Sequence, residues 1–302
     1  MDLPGTKPEI KLILCPIDFS EFSARAYDHA LSLAGHYRAK LVAQHIVELG
    51  QHPSLGFAAT VENYEKYCQD LREYAQRQLE EFVKNHAHDK VQPELVVHQG
   101  TAPDLILSFA GAQKADLIVM GLHGRRGFDR LMLGSVTDRV MRRAQCPVLA
   151  VCHPTPESMV AGKEKRHAHH LNRILFCADF SENSDRALRY AISATAEYDA
   201  ELILLHVLDE SPSPGEMEQM VAEATAQLDK LIPPLRCQDL KIRTAVRIGK
   251  PYQQIIQLAL ESQIDLISMG ARGQGALDLA VFGSTTYRVM QLGPCPVLAV
   301  HI

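Results

Sequence analysis

Two short segments, one in each half of the chain, contain glycines and a serine at matching intervals. The pattern G-x2-G-x9-G-S runs from Gly121 to Ser135 and is repeated from Gly270 to Ser284. Glycines let main-chain N–H groups approach an anion because they lack a Cβ, and a helix that begins at the G-S pair adds unpaired N–H groups. The serine hydroxyl can donate one more hydrogen bond. The two segments therefore predict phosphate-binding loops.

The same glycines also have a purely structural interpretation. They can serve turns and close packing, and the serines can cap helices, since SVTD at 135–138 fits a capping box. The spacing is nevertheless kept while the residues between differ, RRGFDRLML against QGALDLAVF, and this favours ligand binding. Rival phosphate motifs fail, because Gly249-Lys250 is followed by Pro251 and no G-x-G-x-x-G follows the first strand.

An aspartate follows the first predicted strand of each half, as Asp18 and Asp179. A carboxylate at this position can accept hydrogen bonds from an adenine amine or a ribose hydroxyl. The alternative is a capping role, because D-F-S-E is good chemistry for a helix start. We favour ligand contact and keep the capping role open.

Histidines offer weaker signals. His45 and His206 end the second strand of each half and are more typical of hydrogen-bonded core histidines than of an acid or base. His123 stands in the first loop where Arg272 stands in the second, a substitution that suits phosphate contact and not a shared general base. We find no nucleophile–base set and no carboxylate pair dedicated to magnesium.

Composition sets outer limits on function. The chain has 302 residues with a formal net charge of −5, so no global charge favours nucleic acid or an anionic membrane. Its seven cysteines are odd in number and form no CxxC pair, which favours a reducing compartment. No signal peptide or membrane span is visible, so we expect a soluble cytoplasmic protein.

The chain is a duplication. Residues 174–209 repeat residues 13–48 without a gap, and CPVLAV occurs at 146–151 and 295–300. We predict one domain over 9–152, a linker over 153–170 and a second domain over 171–302. The linker holds four histidines that could bind metal, but nothing nearby completes a ligand set and a solvated linker is the better interpretation.

Short β-branched runs alternate with helical patterns in the first copy. This alternation predicts a doubly wound α/β domain in which helices flank a five-stranded parallel sheet, with ligands at the carboxyl ends of the strands. Helices are expected from Ser20 to about His36, over Val61–His86, after a Thr101 cap with Pro103 in the first turn, and from Ser135 to about Ala144. Strands are expected at Leu12–Ile17, Leu41–Val47, Glu94–Gln99, Leu117–Met120 and Val148–Val151.

The motifs D-F-S-E, M-G-x-x-G-x9-G-S and C-P-V-L-A-V, present in both copies, resemble those of the universal stress protein family. The resemblance implies an adenine nucleotide alpha hydrolase-like fold in each copy and binding of ATP, with or without Mg²⁺. In the first copy it assigns the nucleotide to Asp18, Ile46, Met120, Gly121, His123, Gly124, Arg125, Gly134, Ser135, Val136 and Thr137. In the second copy the matching residues are Asp179, Val207, Met269, Gly270, Arg272, Gly273, Gly283, Ser284, Thr285 and Thr286.

The two copies depart from each other at the expected site. Pro16 stands two residues before the first aspartate, whereas the second copy has Cys177. The first loop carries Arg125, Arg126 and Arg130, whereas the second has Gln274, Leu277 and Asp278. We predict that the first site favours more highly charged phosphates. Titration of each isolated domain with ATP would contradict this if the affinities were equal or reversed.

The resemblance also bears on assembly and function. Single-domain relatives dimerise through the last strand, so the two PVLAV strands are expected to build an intramolecular pseudo-dimer that can form a homodimer. The favoured function is a nucleotide-binding regulatory module of the stress response. The alternatives are a weak ATPase and an interaction scaffold that binds another ligand through the inserted segment Gly50–Tyr64.

Overall fold

The computed structural model describes residues 8–48, 61–86, 91–124, 133–152, 171–208, 214–236, 240–272 and 283–301. The chain has an α/β fold in which mostly parallel strands are flanked by helices. It divides into two compact units: Ile10–Phe128 with Leu133–Arg143 forms one, and the other consists chiefly of Ala144–Ile302.

In the first unit, four parallel strands lie in the order β3-β2-β1-β4. Strand β4 is buried along its whole length, because helices cover the sheet. The elements are β1 (Leu12–Ile17), α1 (Glu21–Tyr37), β2 (Lys40–Val47), α2 (Val61–Asn85), β3 (Glu94–Gln99), α3 (Ala102–Gln113), β4 (Leu117–Gly121) and α4 (Ser135–Arg143).

Capping residues explain where several of these helices begin and end. Ser20 caps α1, since its hydroxyl accepts a hydrogen bond from the Ser23 N–H at 3.2 Å. Arg38 and Lys114 end α1 and α3 in the left-handed conformation, with φ of 52° and 53°. The expected capping of α1 is thus confirmed.

Two expected caps are wrong. Thr101 precedes α3, but its side chain makes no capping hydrogen bond. The Glu48 carboxylate instead accepts from the Ala102 N–H at 3.4 Å, so a carboxylate from β2's end replaces the threonine. The capping box at SVTD is also wrong, because Ser135 is already helical and the Asp138 carboxylate accepts from Arg142 at 3.0 Å.

In the second unit, the strand order is β5-β10-β9-β6-β7-β8. Strands β6 to β10 are parallel, and β5 is antiparallel to β10. The elements are β5 (Val148–Val151), β6 (Arg173–Cys177), α5 (Glu182–Tyr198), β7 (Glu201–Leu208), α6 (Pro214–Arg236), β8 (Lys241–Ile248), α7 (Pro251–Glu261), β9 (Leu266–Gly270), α8 (Ser284–Leu292) and β10 (Val297–Val300).

The pairing of β5 with β10 brings the two copies of CPVLAV side by side. Leu149 stands opposite Leu298 at the centre, and the flanking pairs are Val297 with Ala150 and Ala299 with Val148. The fifth strand of the first sequence copy therefore completes an antiparallel pair within the second unit. All residues of both strands are buried.

Two further expectations concern the described residues. None of the helices in the described ranges has both the length and the apolarity that crossing a membrane requires. The six cysteines in those ranges are all free thiols, and burial raises the pKa of Cys15 and of Cys177 far above the ordinary value. These two thiols are consequently poor nucleophiles.

Candidate functional site

The two ends of the first glycine segment meet where β4 ends. The Gly134 N–H donates to the Leu122 carbonyl at 2.9 Å, and a Cβ on Gly134 would lie 3.2 Å from that oxygen. The Thr137 hydroxyl donates to the Gly121 carbonyl at 2.9 Å from a buried position. These two bonds fix the start of α4 beside the end of β4.

The second segment repeats this arrangement. The Gly283 N–H donates to the Ala271 carbonyl at 3.0 Å, and the Thr286 hydroxyl donates to the Gly270 carbonyl at 2.9 Å. Gly283 is the N-cap of α8 and has no side chain with which to satisfy the first N–H groups of the helix. The N-cap residue itself therefore satisfies none of these N–H groups by a side chain, and the positive end of a helix favours an anion.

The first glycine of each segment is required by close packing. A Cβ on Gly121 would lie 2.8 Å from the backbone carbon of Phe22, and a Cβ on Gly270 would lie 2.9 Å from the Cβ of Asn183. The strand end thus touches the first turn of α1 or α5. The purely structural interpretation, in which the glycines permit close packing, therefore applies to Gly121 and Gly270.

Each predicted aspartate holds a turn, and Asp18 also faces its glycine loop. Asp18 Oδ1 accepts from the Ser20 N–H at 3.0 Å and from its hydroxyl at 2.6 Å, and Asp179 accepts from Ser181 at the same distances. A Cβ on Gly124 would lie 2.7 Å from Asp18 Oδ2. Oδ1 of Asp18 therefore supports the helix cap, and Oδ2 lies against the loop.

The residue after each aspartate adopts a strained backbone conformation. Phe19 has a φ of 64° and Phe180 a φ of 58°, in the left-handed region that a bulky side chain rarely enters. Their rings lie 4.4 Å and 4.6 Å from the rings of His45 and His206. These contacts hold the turn that places the aspartate.

The strand-end histidines are tied to the backbone. His45 Nδ1 lies 2.7 Å from the Ile17 carbonyl, and His206 Nδ1 lies 2.7 Å from the Ala178 carbonyl. A carbonyl only accepts, so Nδ1 carries the hydrogen in both rings. This geometry supports the interpretation of core histidines that position the strand ends.

The other predicted residues gather at the same edge in each unit. Met120 and Met269 are buried at 4% and 5% exposure, whereas the serines that begin α4 and α8 are exposed. Arg125 and Gly273 lie outside the described residues. Half-buried positions at this edge are Ile46, Val207, His123, Arg272, Val136 and Thr285.

Sequence reasoning missed two residues, Phe22 and Asn183, which occupy equivalent positions against the glycines. The Phe22 ring lies 5.0 Å from the His123 ring, and Asn183 Nδ2 donates to the Arg272 carbonyl at 3.4 Å. In the repeat, Asn183 stands where the first copy has Phe22. Only the packing shows that this position contacts the loop.

The second site also carries an extra carboxylate. Burial raises the pKa of Asp185 above its ordinary value; Arg189 opposes the shift, and the negative charges of Asp179 and Glu182 add to it. The first copy has Ala24 at the corresponding place. Only the second copy thus has a carboxylate at this position.

Comparison with known proteins identifies the family. The sequence profile of the universal stress protein family matches residues 9–151 and again residues 170–301. The chain belongs to the universal stress protein family. Its two matching regions contain the two glycine loops and the two aspartate turns described above.

Individual universal stress proteins agree with this membership. Universal stress protein MJ0531 of Methanocaldococcus jannaschii is 37% identical over 150 residues, which is 49% of this chain and 85% of that protein. Universal stress protein Mb2028c of Mycobacterium bovis is 28% identical over 195 residues, and the match covers 62% of each chain.

A solved structure supports the fold. The crystal structure of a universal stress protein from Archaeoglobus fulgidus covers 97% of this chain and 97% of its own, with a TM-score of 0.71 and 22% sequence identity. The tandem α/β arrangement is therefore known in the family.

Proposed function

We propose that this universal stress protein binds an adenine nucleotide, ATP first of all, in each of its two copies, and acts as a cytoplasmic regulatory module in the stress response. One observation carries the proposal: the two glycine turns make the same pair of hydrogen bonds, at 2.9 Å and 2.9 Å in one copy and 3.0 Å and 2.9 Å in the other. The framework is retained although the residues between the glycines differ.

The phosphates and the nucleoside would be bound by different groups of the described residues. The N–H groups at the start of α4 and α8 would receive the phosphates, because these groups lack carbonyl partners within their own helices. Asp18 and Asp179 would accept from the ribose or the adenine amine. The buried threonine hydroxyls serve the loop, so main-chain N–H groups and the exposed hydroxyls of Ser135 and Ser284 are donors that remain for the anion.

Magnesium would arrive with the nucleotide. Among the described residues, no group of three or more His, Cys, Asp or Glu side chains is arranged to hold a metal ion. Mg²⁺ is commonly bound through one or two carboxylates together with substrate phosphates. The carboxylates near the loops, Asp18 and Asp179, suit that role.

The two sequence domains, 9–152 and 171–302, would form an intramolecular pseudo-dimer. The antiparallel β5–β10 pair supports this proposal, since it joins the last strands of the two copies. Nucleotide binding in the two copies would then be the signal to which a protein partner responds.

Native mass spectrometry and calorimetry of the full chain test the proposal. We expect up to two nucleotides per chain. Gly124→Ala should weaken the first site by about tenfold, since the new Cβ, 2.7 Å from Asp18 Oδ2, displaces the carboxylate. The control is Gly111→Ala in α3, where a Cβ meets nothing within 4 Å. Absence of binding at millimolar ATP would refute the function, and steady ATP turnover would favour the weak ATPase.

A further inference from the structure

One position distinguishes the two copies at the mouth of the proposed sites. Phe22 and Asn183 both lie in the first turn of the helix that follows the aspartate. Each touches the first glycine of its loop, at 2.8 Å from a Cβ on Gly121 and 2.9 Å from a Cβ on Gly270. This position therefore lies where strand, helix and loop meet.

The two side chains engage the loop by different chemistry. The Phe22 ring packs against the His123 ring at 5.0 Å and offers no hydrogen-bond acceptor. Asn183 uses its amide, and Nδ2 donates to the Arg272 carbonyl at 3.4 Å. The first loop is thus held by an aromatic contact and the second by a hydrogen bond to its main chain.

The other half of the Asn183 amide is a buried acceptor. Asn183 is 6% exposed, and its Oδ1 has no hydrogen-bond partner within the described part of the chain. Turning the amide over would place Oδ1 against the Arg272 carbonyl, so that two acceptors would repel. Buried polar atoms are nearly always satisfied in proteins, and an exception calls for a functional explanation.

We propose that Asn183 is a specificity-determining residue of the second site, whose Oδ1 accepts a hydrogen bond from a ribose hydroxyl of the bound nucleotide. The inference rests on the proposed function and deepens it. Phosphate oxygens carry no donor at neutral pH, whereas a ribose diol carries two. Asn183 contacts Gly270, at the start of the proposed phosphate loop, so a ribose bound beside those phosphates would be the nearest part of the nucleotide that carries a donor.

The first site lacks this acceptor. Phe22 presents only a ring, so Asp18 remains the side-chain acceptor in that turn, whereas the second turn has both Asp179 and Asn183. The second site should consequently discriminate against nucleotides that lack a ribose hydroxyl more strongly than the first site does. The two sites would then respond to different members of the nucleotide pool.

The test uses the full chain with one site disabled. Asp18→Ala isolates the second site and Asp179→Ala isolates the first, and each is titrated calorimetrically with ATP, 2′-deoxy-ATP and 3′-deoxy-ATP. At the second site we expect one of the deoxy nucleotides to bind about tenfold more weakly than ATP, as suits one lost hydrogen bond. At the first site, where Asp18 can accept from the ribose and Phe22 cannot, the loss should be smaller.

Variants of Asn183 and Phe22 show whether this position causes the discrimination between ATP and the deoxy nucleotides. Asn183→Ala should weaken ATP binding about tenfold and reduce the discrimination to that of the first site, while the matched Phe22→Ala should leave the first-site ratio unchanged. Phe22→Asn should increase the discrimination at the first site. The comparison of analogues in the Asp18→Ala chain requires no change at Asn183 and holds if those variants fail to fold.

Three results would overturn the inference. Equal affinities for ATP and both deoxy nucleotides at the second site would refute it while leaving nucleotide binding intact. A uniform loss of affinity for all three ligands in Asn183→Ala would show that the residue only supports the loop. Absence of ATP binding in the unmodified chain would refute the proposed function together with this inference.

Discussion

At the scale of single residues, the glycine turns depend on two threonine hydroxyls. Thr137 and Thr286 are each 3% exposed and donate to the carbonyls of Gly121 and Gly270 at 2.9 Å. A buried carbonyl that loses its donor costs the full desolvation of that group. The threonines therefore stabilise the loop even if they do not contact a ligand.

Thr137→Val keeps the shape of the side chain and removes its donor. We expect a loss of about 1–3 kcal/mol in the free energy of unfolding of that unit, because the Gly121 carbonyl stays buried and unpaired. The control is Thr101→Val, since the Thr101 side chain makes no capping hydrogen bond. Urea denaturation of both variants measures the difference in stability. Equal denaturation midpoints for Thr137→Val and Thr101→Val would contradict the expectation.

Asp185 is a second residue whose environment opposes its charge. Burial raises its pKa, Arg189 lowers it, and the charges of Asp179 and Glu182 raise it further. Since its pKa is higher in the folded state than in the unfolded state, the folded state binds more protons in that pH range. Stability therefore falls as pH rises from the ordinary pKa through the raised one.

Asp185→Asn should remove this penalty. We expect the variant to be more stable than the original chain at neutral pH and to show a flatter stability profile across the acidic range where the carboxyl titrates. Unfolding by urea at a series of pH values measures both effects. A profile as steep as that of the original chain would show that other groups cause the slope.

At the scale of secondary structure elements, the helix that follows each loop is fastened to its neighbour in a different way. In the first unit, Arg143 on α4 pairs with Asp104 on α3 at 3.0 Å, with side chains 63% and 59% exposed. In the second unit, the Arg288 guanidinium on α8 lies 4.7 Å from the centre of the Tyr252 ring on α7. An exposed ion pair and a cation–π contact differ in their response to salt.

Arg143→Ala should cost less than about 0.5 kcal/mol, and the cost should vanish at high salt because solvent and ions already screen the exposed pair. Arg288→Ala should cost about 0.5–1 kcal/mol and retain most of that cost at high salt. Calorimetric melting of both variants at low and high sodium chloride measures the difference. A salt-sensitive Arg288→Ala effect would argue against the ring contact.

Most elements could be predicted from the sequence, because buried strands and amphipathic helices leave periodic apolar patterns. Strands β1, β3 and β5 were predicted with the bounds the structure has. The left-handed Phe19 and Phe180 could not be, because that conformation is typical of glycine and only tertiary contacts enforce it here. The site residues Phe22 and Asn183 escaped notice because their importance lies in packing against a distant glycine.

At the scale of the whole molecule, duplication has left two loops whose ends make the same hydrogen bonds in surroundings of different chemistry. The first site is bordered by Phe22 and His123, and the second by Asn183, Arg272 and Asp185. A single-copy protein that assembles from identical chains has identical sites. A tandem chain can change one site and keep the other.

The antiparallel contact between β5 and β10 gives the tandem chain one more property. Because Leu149 faces Leu298 in a symmetric register, each half carries an edge that another copy of itself could match. A peptide linker supplies the partner at a fixed effective concentration, so dilution cannot separate the two strands. Halves 1–152 and 171–302 made as separate chains should self-associate in sedimentation experiments at rising concentration, and strictly monomeric halves would show that the shared strand needs its tether.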